Sequence, residues 1–257
     1  RAKVRTTARK RTRPMRFDLH LHSCLSPCAS LDMAPSAIAA KAHEAGLDGI
    51  ALSDHNSARN TPAFEVCCQR EGVAALYSLE VCSAEEVHLL TVFDTVKQAL
   101  DMTDWVYDAL IKRVNQPEVF GDQPVVNADD EIEEMEWRML GTAAKKTLYE
   151  IGEKTHSLGG LFIACHVDRP AFSAFSQLGI LSGEEGFDAM ELSRTADEAA
   201  WRPRIGDMPL IRSSDSHNID DIGLVWTEAN LAEFSVAELK RAFVNRATTL
   251  SPRLTKF

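Results

Sequence analysis

Six of the eight histidines in this chain, His20, His22, His55, His88, His166 and His217, stand in or just beyond short apolar runs, while His43 and His156 fall in helix-like stretches. Imidazole is a neutral donor near pH 7 and, combined with carboxylates, suits zinc, manganese or iron. The run Phe17-Asp-Leu-His-Leu-His-Ser sets His20 and His22 two residues apart. On a strand such side chains share a face, so the pair offers half a metal site. A lone His-x-His arises easily by chance, and the weight comes from the rest of the chain. Asp54-His55 comes after the apolar run 49–52, Glu80 ends 73–79, His88 opens 87–93, His166 ends 161–165, and Asp215-Ser-His217 follows 210–214. Such a set exceeds what one ion uses. With three to six protein ligands per ion and some shared, it implies two or three divalent ions, with Glu80 or Asp215 as a bridge.

These residues converge only if the elements carrying them do. Strands are expected at 17–22, 48–53, 76–81, 87–93, 161–165, 187–192, 210–214 and 223–227. Between them lie helix patterns. Pro35 opens one with Ile38, Ala42 and Ala45 in register and Gly46 as its stop, and others cover 61–70 and 143–157. A longer one over 96–114 has Leu100, Trp105, Leu110 and Val114 as core contacts, and Ser235 with Glu238 reads as a capping box opening a last helix. Alternating strands and helices imply parallel strands with crossover helices, closed into a barrel or wound as an open sheet. In a barrel the carboxyl ends meet at one mouth. His88 is the exception, since it begins its run: either that strand is antiparallel or His88 lies in the preceding loop. Residues 115–140 break the pattern with Pro117, Gly121 and Pro124, and six of the eight residues 129–136 are acidic. They read as an insertion, its acidic run a solvated helix, with a mobile flap as the other reading.

Composition bounds the rest. A chain of 257 residues with 45% apolar and 26% charged residues fits a single globular α/β domain, here residues 15–257. The absence of a run of roughly 18 apolar residues and of a secretory segment points to a soluble, cytoplasmic protein. The six cysteines, 24, 28, 67, 68, 82 and 165, show neither Cys-x-x-Cys pairs nor scaffold density, and read as packed thiols in a reducing compartment. Residues 1–14 hold seven Lys or Arg and no acid, leaving the remainder with a net charge of −17. That basic segment is set aside as an upstream start or vector-derived remnant, a nucleic-acid-binding arm and an organellar presequence being the other readings. A body this acidic repels phosphate backbones, so extended nucleic-acid binding is not expected.

Together His20/His22, Asp54/His55, His166 and Asp215/His217 resemble the PHP family, named for polymerase and histidinol phosphatase, over essentially the whole chain from Met15. The resemblance implies a distorted (β/α)7 barrel and a trinuclear metal centre that hydrolyses phosphate esters. By position, one ion would take His20, His22, Glu80 and Asp215; a second would share Glu80 and add His88 and His166; a third would take His55 and His217. In the family a carboxylate from the loop after the first strand usually completes that third site. Here the loop 26–32 offers only Asp32 as a carboxylate, with Cys28 the soft alternative. Asp54 is expected to orient a ligand rather than bind metal. Arg169 is the chosen phosphate clamp, a guanidinium matching phosphate oxygens in pairs, against a surface salt bridge. Arg194 and Arg212 are weaker candidates for the clamp, and Glu191 reads as a support for a metal ligand or as a strand-end polar residue.

The function implied is that of a metal-dependent phosphoesterase acting on a phosphate monoester, a nucleotide or small phosphorylated metabolite, with inorganic phosphate as the other small ligand. Metal-bound hydroxide would attack phosphorus, metals and Arg169 would neutralise its oxygens, and His217 or His55 would protonate the leaving alkoxide. The alternatives are a 5′-3′ exonuclease on short oligonucleotides, which requires a basic or aromatic-lined groove, and a non-catalytic metal-binding PHP module. Amidohydrolases also open with His-x-His on a barrel, but leave Asp54-His55 together with Asp215-Ser-His217 unexplained.

Overall fold

The computed structural model describes residues 13–255. Strand β1 (Met15–Leu21) leads to α1 (Pro35–Glu44), β2 (Gly49–Leu52), α2 (Thr61–Glu71), β3 (Ala74–Cys82), β4 (His88–Phe93) and α3 (Val96–Ala109). The short α4 (Pro117–Phe120), β5 (Pro124–Val126) and β6 (Ile132–Met135) come next, then α5 (Leu148–Ser157), β7 (Leu161–Ala164) and α6 (Ala174–Leu178). The chain continues through β8 (Ala189–Leu192), α7 (Glu198–Ile205), β9 (Leu210–Arg212), β10 (Thr227–Ala229), α8 (Val236–Val244) and β11 (Thr248–Leu250). Helix starts follow local chemistry. Pro stands in the first turn of α1 and α2, and reciprocal capping boxes, Thr95 with Gln98 and Thr147 with Glu150, open α3 and α5.

The main sheet runs β11-β10-β1-β2-β3-β4-β7-β8-β9. The seven strands from β1 to β9 form a distorted α/β barrel: β1, β2 and β3 are parallel, β7, β8 and β9 are parallel, and β4 runs antiparallel between β3 and β7. The reversal explains His88. It pairs with Cys82 at the end of β3, so the start of β4 reaches the mouth where its neighbours finish. The β10–β11 hairpin fills the gap between β1 and β9, and side chains close it. Arg212 N donates to Thr227 Oγ1 at 2.8 Å, that hydroxyl donates to Arg212 O at 2.9 Å, and Thr248 Oγ1 donates to Leu210 O at 2.9 Å.

Alternation along the strands sorts two cores. Leu76, Leu90, Val92, Leu161, Ile163 and Ile211 meet inside the barrel, where α8 adds Val236, Leu239 and Phe243. Leu52, Leu79, Phe93, Phe162 and Leu192 face the surrounding helices. Burying each such side chain contributes about 1.5–3 kcal/mol. By the same two-residue period Glu80 shares the inner face with Leu76, His88 with Leu90, and Glu191 with Ala189. The lumen thus carries an apolar floor beneath a charged upper layer.

Several local expectations are corrected. The acidic run is not a solvated helix: Ile132–Met135 is a strand paired with β5. On a helix Asp129/Glu133 and Asp130/Glu134 would be like-charged i,i+4 neighbours; as a strand, Glu134 and Glu136 both pair with Arg59. Helix α3 ends at Ala109, leaving Val114 64% exposed rather than in the core. Helix α5 begins at Thr147's cap rather than at 143, and the strand expected at 223–227 is Thr227–Ala229. At Ser235 only half a capping box forms, because the Glu238 carboxylate takes Ala232 N and Arg241 instead. Helices α6 and α7 and strand β11 have no counterpart among the expected elements. Of the basic segment 1–14, residues 1–12 lie outside the described residues, while Arg13 pairs with Asp48 at 2.6 Å. No helix among the described residues is long and apolar enough to cross a membrane.

Candidate metal centre

Glu80, 1% exposed, is the hub of the upper layer. Its oxygens face five imidazoles: His88 Nδ1 at 2.7 Å, His55 Nδ1 at 2.9 Å, His166 Nε2 at 3.1 Å, His22 Nε2 at 3.4 Å and His20 Nε2 at 3.5 Å. Asp215 lies 3.2 Å from His22 Nε2 and 3.4 Å from His20 Nε2. Burial alone would raise both carboxyls; the surrounding rings prevail and hold both well below the usual carboxylate range. Burial likewise opposes charge on His20, but Glu191, Asp215 and Glu80 raise it well above the ordinary histidine value. His22, buried beside His217, goes the other way. Two of these residues hold backbone that L side chains rarely adopt, His166 at φ 26° and Asp215 at φ 49°, a strain that clusters at functional sites.

The outer nitrogens of these rings are already engaged. His20 Nδ1 meets the Glu191 carboxylate at 3.0 Å and therefore donates, which leaves Nε2 bare in the neutral ring. His22 Nδ1 meets Ser26 Oγ at 2.9 Å; that hydroxyl already donates to Asp54 Oδ1 at 2.7 Å, so it accepts from His22 and again leaves Nε2 bare. The two bare nitrogens then face each other across 3.2 Å. A proton on His20, which its carboxylate neighbours favour, or a shared metal ion fills that gap, and a carboxylate ringed by imidazoles is a ready donor set for the ion. Within 4.8 Å, donor atoms gather as His20, His22 and Glu80, as His55, Glu80 and His88, and as His22, His55 and His217. The residues present fit a multinuclear divalent centre.

Toward solvent the donors change. His217 Nδ1 donates to Asp215 O at 2.9 Å, which presents Nε2 to Cys28 Sγ at 3.1 Å. Cys28 is exposed as a residue, but its sulfur lies among rings. Crowding would raise that thiol; hydrogen bonds to His217 and His55 outweigh it and bring it to about 6. Asp32, the carboxylate expected at this position, is exposed and belongs to none of these donor groups. Asp54 accepts from Ser23 N at 2.7 Å, Ser23 Oγ at 2.6 Å and Ser26 Oγ at 2.7 Å, so it fixes the loop that orients His22. Arg169 pairs with Asp215 while its side chain stays 43% exposed at the rim. Arg194 pairs with Asp221, and Arg212 donates to Ser251 O and Ala196 O, both turned to structural partners.

The model of the PHP domain matches residues 18–171, more than half of the chain. The chain belongs to the PHP family. That family is one of metal-dependent hydrolases, in keeping with the donor set at the mouth. A comparison with curated proteins finds no match. Among solved structures, the lesion-specific endonuclease Q of Pyrococcus furiosus is similar at 20% identity and TM-score 0.68, over 92% of this chain and 57% of that one. An endonuclease Q complex with a 27-mer duplex carrying an abasic lesion matches at 19% identity and TM-score 0.68, over 90% and 57%. A Bifidobacterium adolescentis protein, named only provisionally as a metal-dependent phosphoesterase, matches at 17% identity and TM-score 0.60, over 90% and 96%. This PHP chain thus spans about half the length of the endonuclease Q chains. At these identities the likeness carries the fold, and the expectation against nucleic-acid binding gains no support from it.

Sequence reasoning passes over several residues of the centre. Asp18, fully buried beneath His20, accepts from His20 N and Ser214 N, and burial raises its carboxyl to about 7 despite those bonds. Ser26 reads in the sequence only as loop, although a hydroxyl four residues after His22 is the available signal. Phe172 stacks on His88 at 4.7 Å and holds φ 56°. With Pro27, Phe120 and Met139 it forms an apolar collar around a cavity of about 230 Å³ that opens onto His55 and His88.

Proposed function

We propose that this chain is a metal-dependent phosphoesterase that hydrolyses a phosphate monoester, a nucleotide or small phosphorylated metabolite. The observation that carries the reading is five imidazoles converging on buried Glu80 at the barrel mouth, with the Arg169 guanidinium at the rim beside Asp215. His20, His22, Glu80 and Asp215 would hold one ion, Glu80, His88 and His166 a second, and His55 with His217 an outer one. Zinc, manganese and iron all suit these donors. Bound there, such ions bring the pKa of water down toward roughly 7 and set positive charge against phosphoryl oxygens.

The chain's own residues supply the rest. Arg169 can leave Asp215 to clamp two phosphate oxygens at once. Asp54, through Ser26, keeps His22 in one tautomer and orientation. His55 and His217 stand on the solvent side, as ligands of the outer ion or as proton donor to the leaving alkoxide. The collar of Pro27, Phe120, Met139 and Phe172 receives the organic part of the ester, and its modest volume suits a small leaving group.

A second reading, cleavage of a phosphodiester in an oligonucleotide, is favoured by one feature. Trp105, Lys112, Lys145 and Lys146 line an open groove of about 610 Å³, with Lys146 Nζ 4.7 Å from the Trp105 ring centre. Lysines beside an aromatic ring are elements of a nucleic-acid groove, although Asp108 lines it too, and Lys146 O accepts from Ala84 N, just past the end of β3. One assay separates the readings. Turnover of p-nitrophenyl phosphate should vanish with chelator and return with manganese or zinc, and a panel of nucleotides, phosphorylated metabolites and short oligonucleotides should rank monoesters first. Cleavage of oligonucleotides without monoester turnover would overturn the first reading in favour of the second.

A further inference from the structure

We infer that the outer position of the centre is a thiolate site: Cys28, His55 and His217 together bind one thiophilic divalent ion, distinct in preference from the carboxylate-rich positions around Glu80. The inference rests on the metal-dependent reading above and deepens it. Cys28 Sγ lies 3.1 Å from His217 Nε2 and also meets the His55 ring, while the His22 and His217 rings stack at 4.2 Å. His217 spends Nδ1 on Asp215 O, so the nitrogen facing the sulfur is the one free to ligate. The carboxylates near these rings all have other partners or lie apart. Asp32 is exposed, Asp54 is taken by Ser23 and Ser26, Asp215 meets His20 and His22, and Glu80, though 2.9 Å from His55 Nδ1, also faces His20, His22, His88 and His166.

The sulfur is held in position from several sides. Ala29 N donates to Ser26 O at 2.9 Å, and Ser30 N donates to His217 O at 2.9 Å, which ties the Cys28 loop to the loop after β9. Gly121 packs on the loop from outside: at φ +96° a Cβ there would sit 2.1 Å from Pro27 O, so only glycine permits the approach. Of the six cysteines, five are buried, Cys165 among them beside His20 and Glu191, and Cys28 is the exposed one. A thiolate with two imidazoles suits zinc, cobalt or cadmium, whereas manganese prefers oxygen. Three protein donors also leave a coordination position open.

The full chain, stripped of metal and titrated with cobalt(II), tests this without any substrate. The wild type should develop a thiolate-to-cobalt charge-transfer band in the near ultraviolet together with visible d–d bands. Cys28→Ser should lose the charge-transfer band while keeping d–d bands from the remaining positions. Cys28→Asp should also lack the band but keep the full metal stoichiometry, and its outer site should exchange cadmium for manganese more readily than the wild type. A charge-transfer band that survives Cys28→Ser, or is missing from fully loaded wild type, overturns the inference. Failure to hydrolyse any phosphate ester would overturn the functional reading and leave these spectra untouched.

Discussion

The inner and outer halves of the centre are built on different principles. Around Glu80 the donors come from strands or strand ends, lie almost wholly out of solvent, and are fixed by a second layer of buried groups, Glu191, Asp54 and Ser26. At the rim the donors and collar come from loops and from the inserted segment, with Cys28, Phe120 and Phe172 exposed. A buried lattice of charges has one workable geometry, because each group left unpaired there is costly; a rim bathed in water can vary. The inner half is therefore expected to set chemistry and the outer half to set selectivity. Glu80→Gln is the harshest test of that division. It keeps size but removes the charge that five imidazoles share, so metal should be lost from the inner positions. Activity should fall by about 10³-fold or more, the several kcal/mol that bound metal supplies. Metal content by mass spectrometry alongside kcat/KM checks it, and a Glu80→Gln chain with its inner metal intact would break the comparison.

Ser26→Ala sharpens the same contrast from one layer further out. The hydroxyl links Asp54 to the His22 ring, accepting from His22 Nδ1 while donating to Asp54. Removing it frees the tautomer and rotation of His22 without touching a ligand. Loss of such a supporting group typically costs about 10–100-fold in metal affinity. The expected pattern is a weaker inner site by competition with a chelator, and activity that recovers when metal is raised. A Ser26→Ala chain that stays inactive at saturating metal would place Ser26 in the chemistry instead.

The same division decides what can be read from the sequence. Strand-borne donors announce themselves, because a strand that must bury an apolar face and present a polar tip writes both into a few consecutive residues; His20/His22 and Asp54-His55 are of that kind. His88 is legible as a donor yet not as a direction, since nothing within 87–93 distinguishes a strand entering the mouth from one leaving it; the antiparallel pairing with β3 is a tertiary choice. At the third site the sequence leaves Asp32 and Cys28 as alternatives. Asp32 has the right chemical type in the right loop, but the turn hydrogen bonds from Ser26 to Ser30 present Cys28 and leave Asp32 in solvent. The hairpin of β5 and β6 escapes sequence reading because its stability comes from partners far away in the chain, Asn60 accepting from Val126 N and Arg59 holding Glu134 and Glu136. Arg212 shows the opposite error: an arginine at a strand end near the site is spent on closing the barrel.

The gentlest probe belongs to the rim. Phe120, on α4 of the inserted segment, is 36% exposed and faces the cavity across from Phe172, which itself rests on His88. Phe120→Ala takes one wall from the leaving-group pocket and reaches no ligand. An aromatic contact of this kind contributes about 0.5–1.5 kcal/mol beyond its area. KM for an aryl or nucleoside phosphate should therefore rise roughly 2- to 10-fold with kcat unchanged, the signature of binding lost equally from ground and transition states. A small alkyl phosphate, too short to reach the ring, should show no change. If the two substrates suffered alike, or if kcat fell with metal content, the rim would be part of the machinery that the barrel builds rather than a selector laid over it.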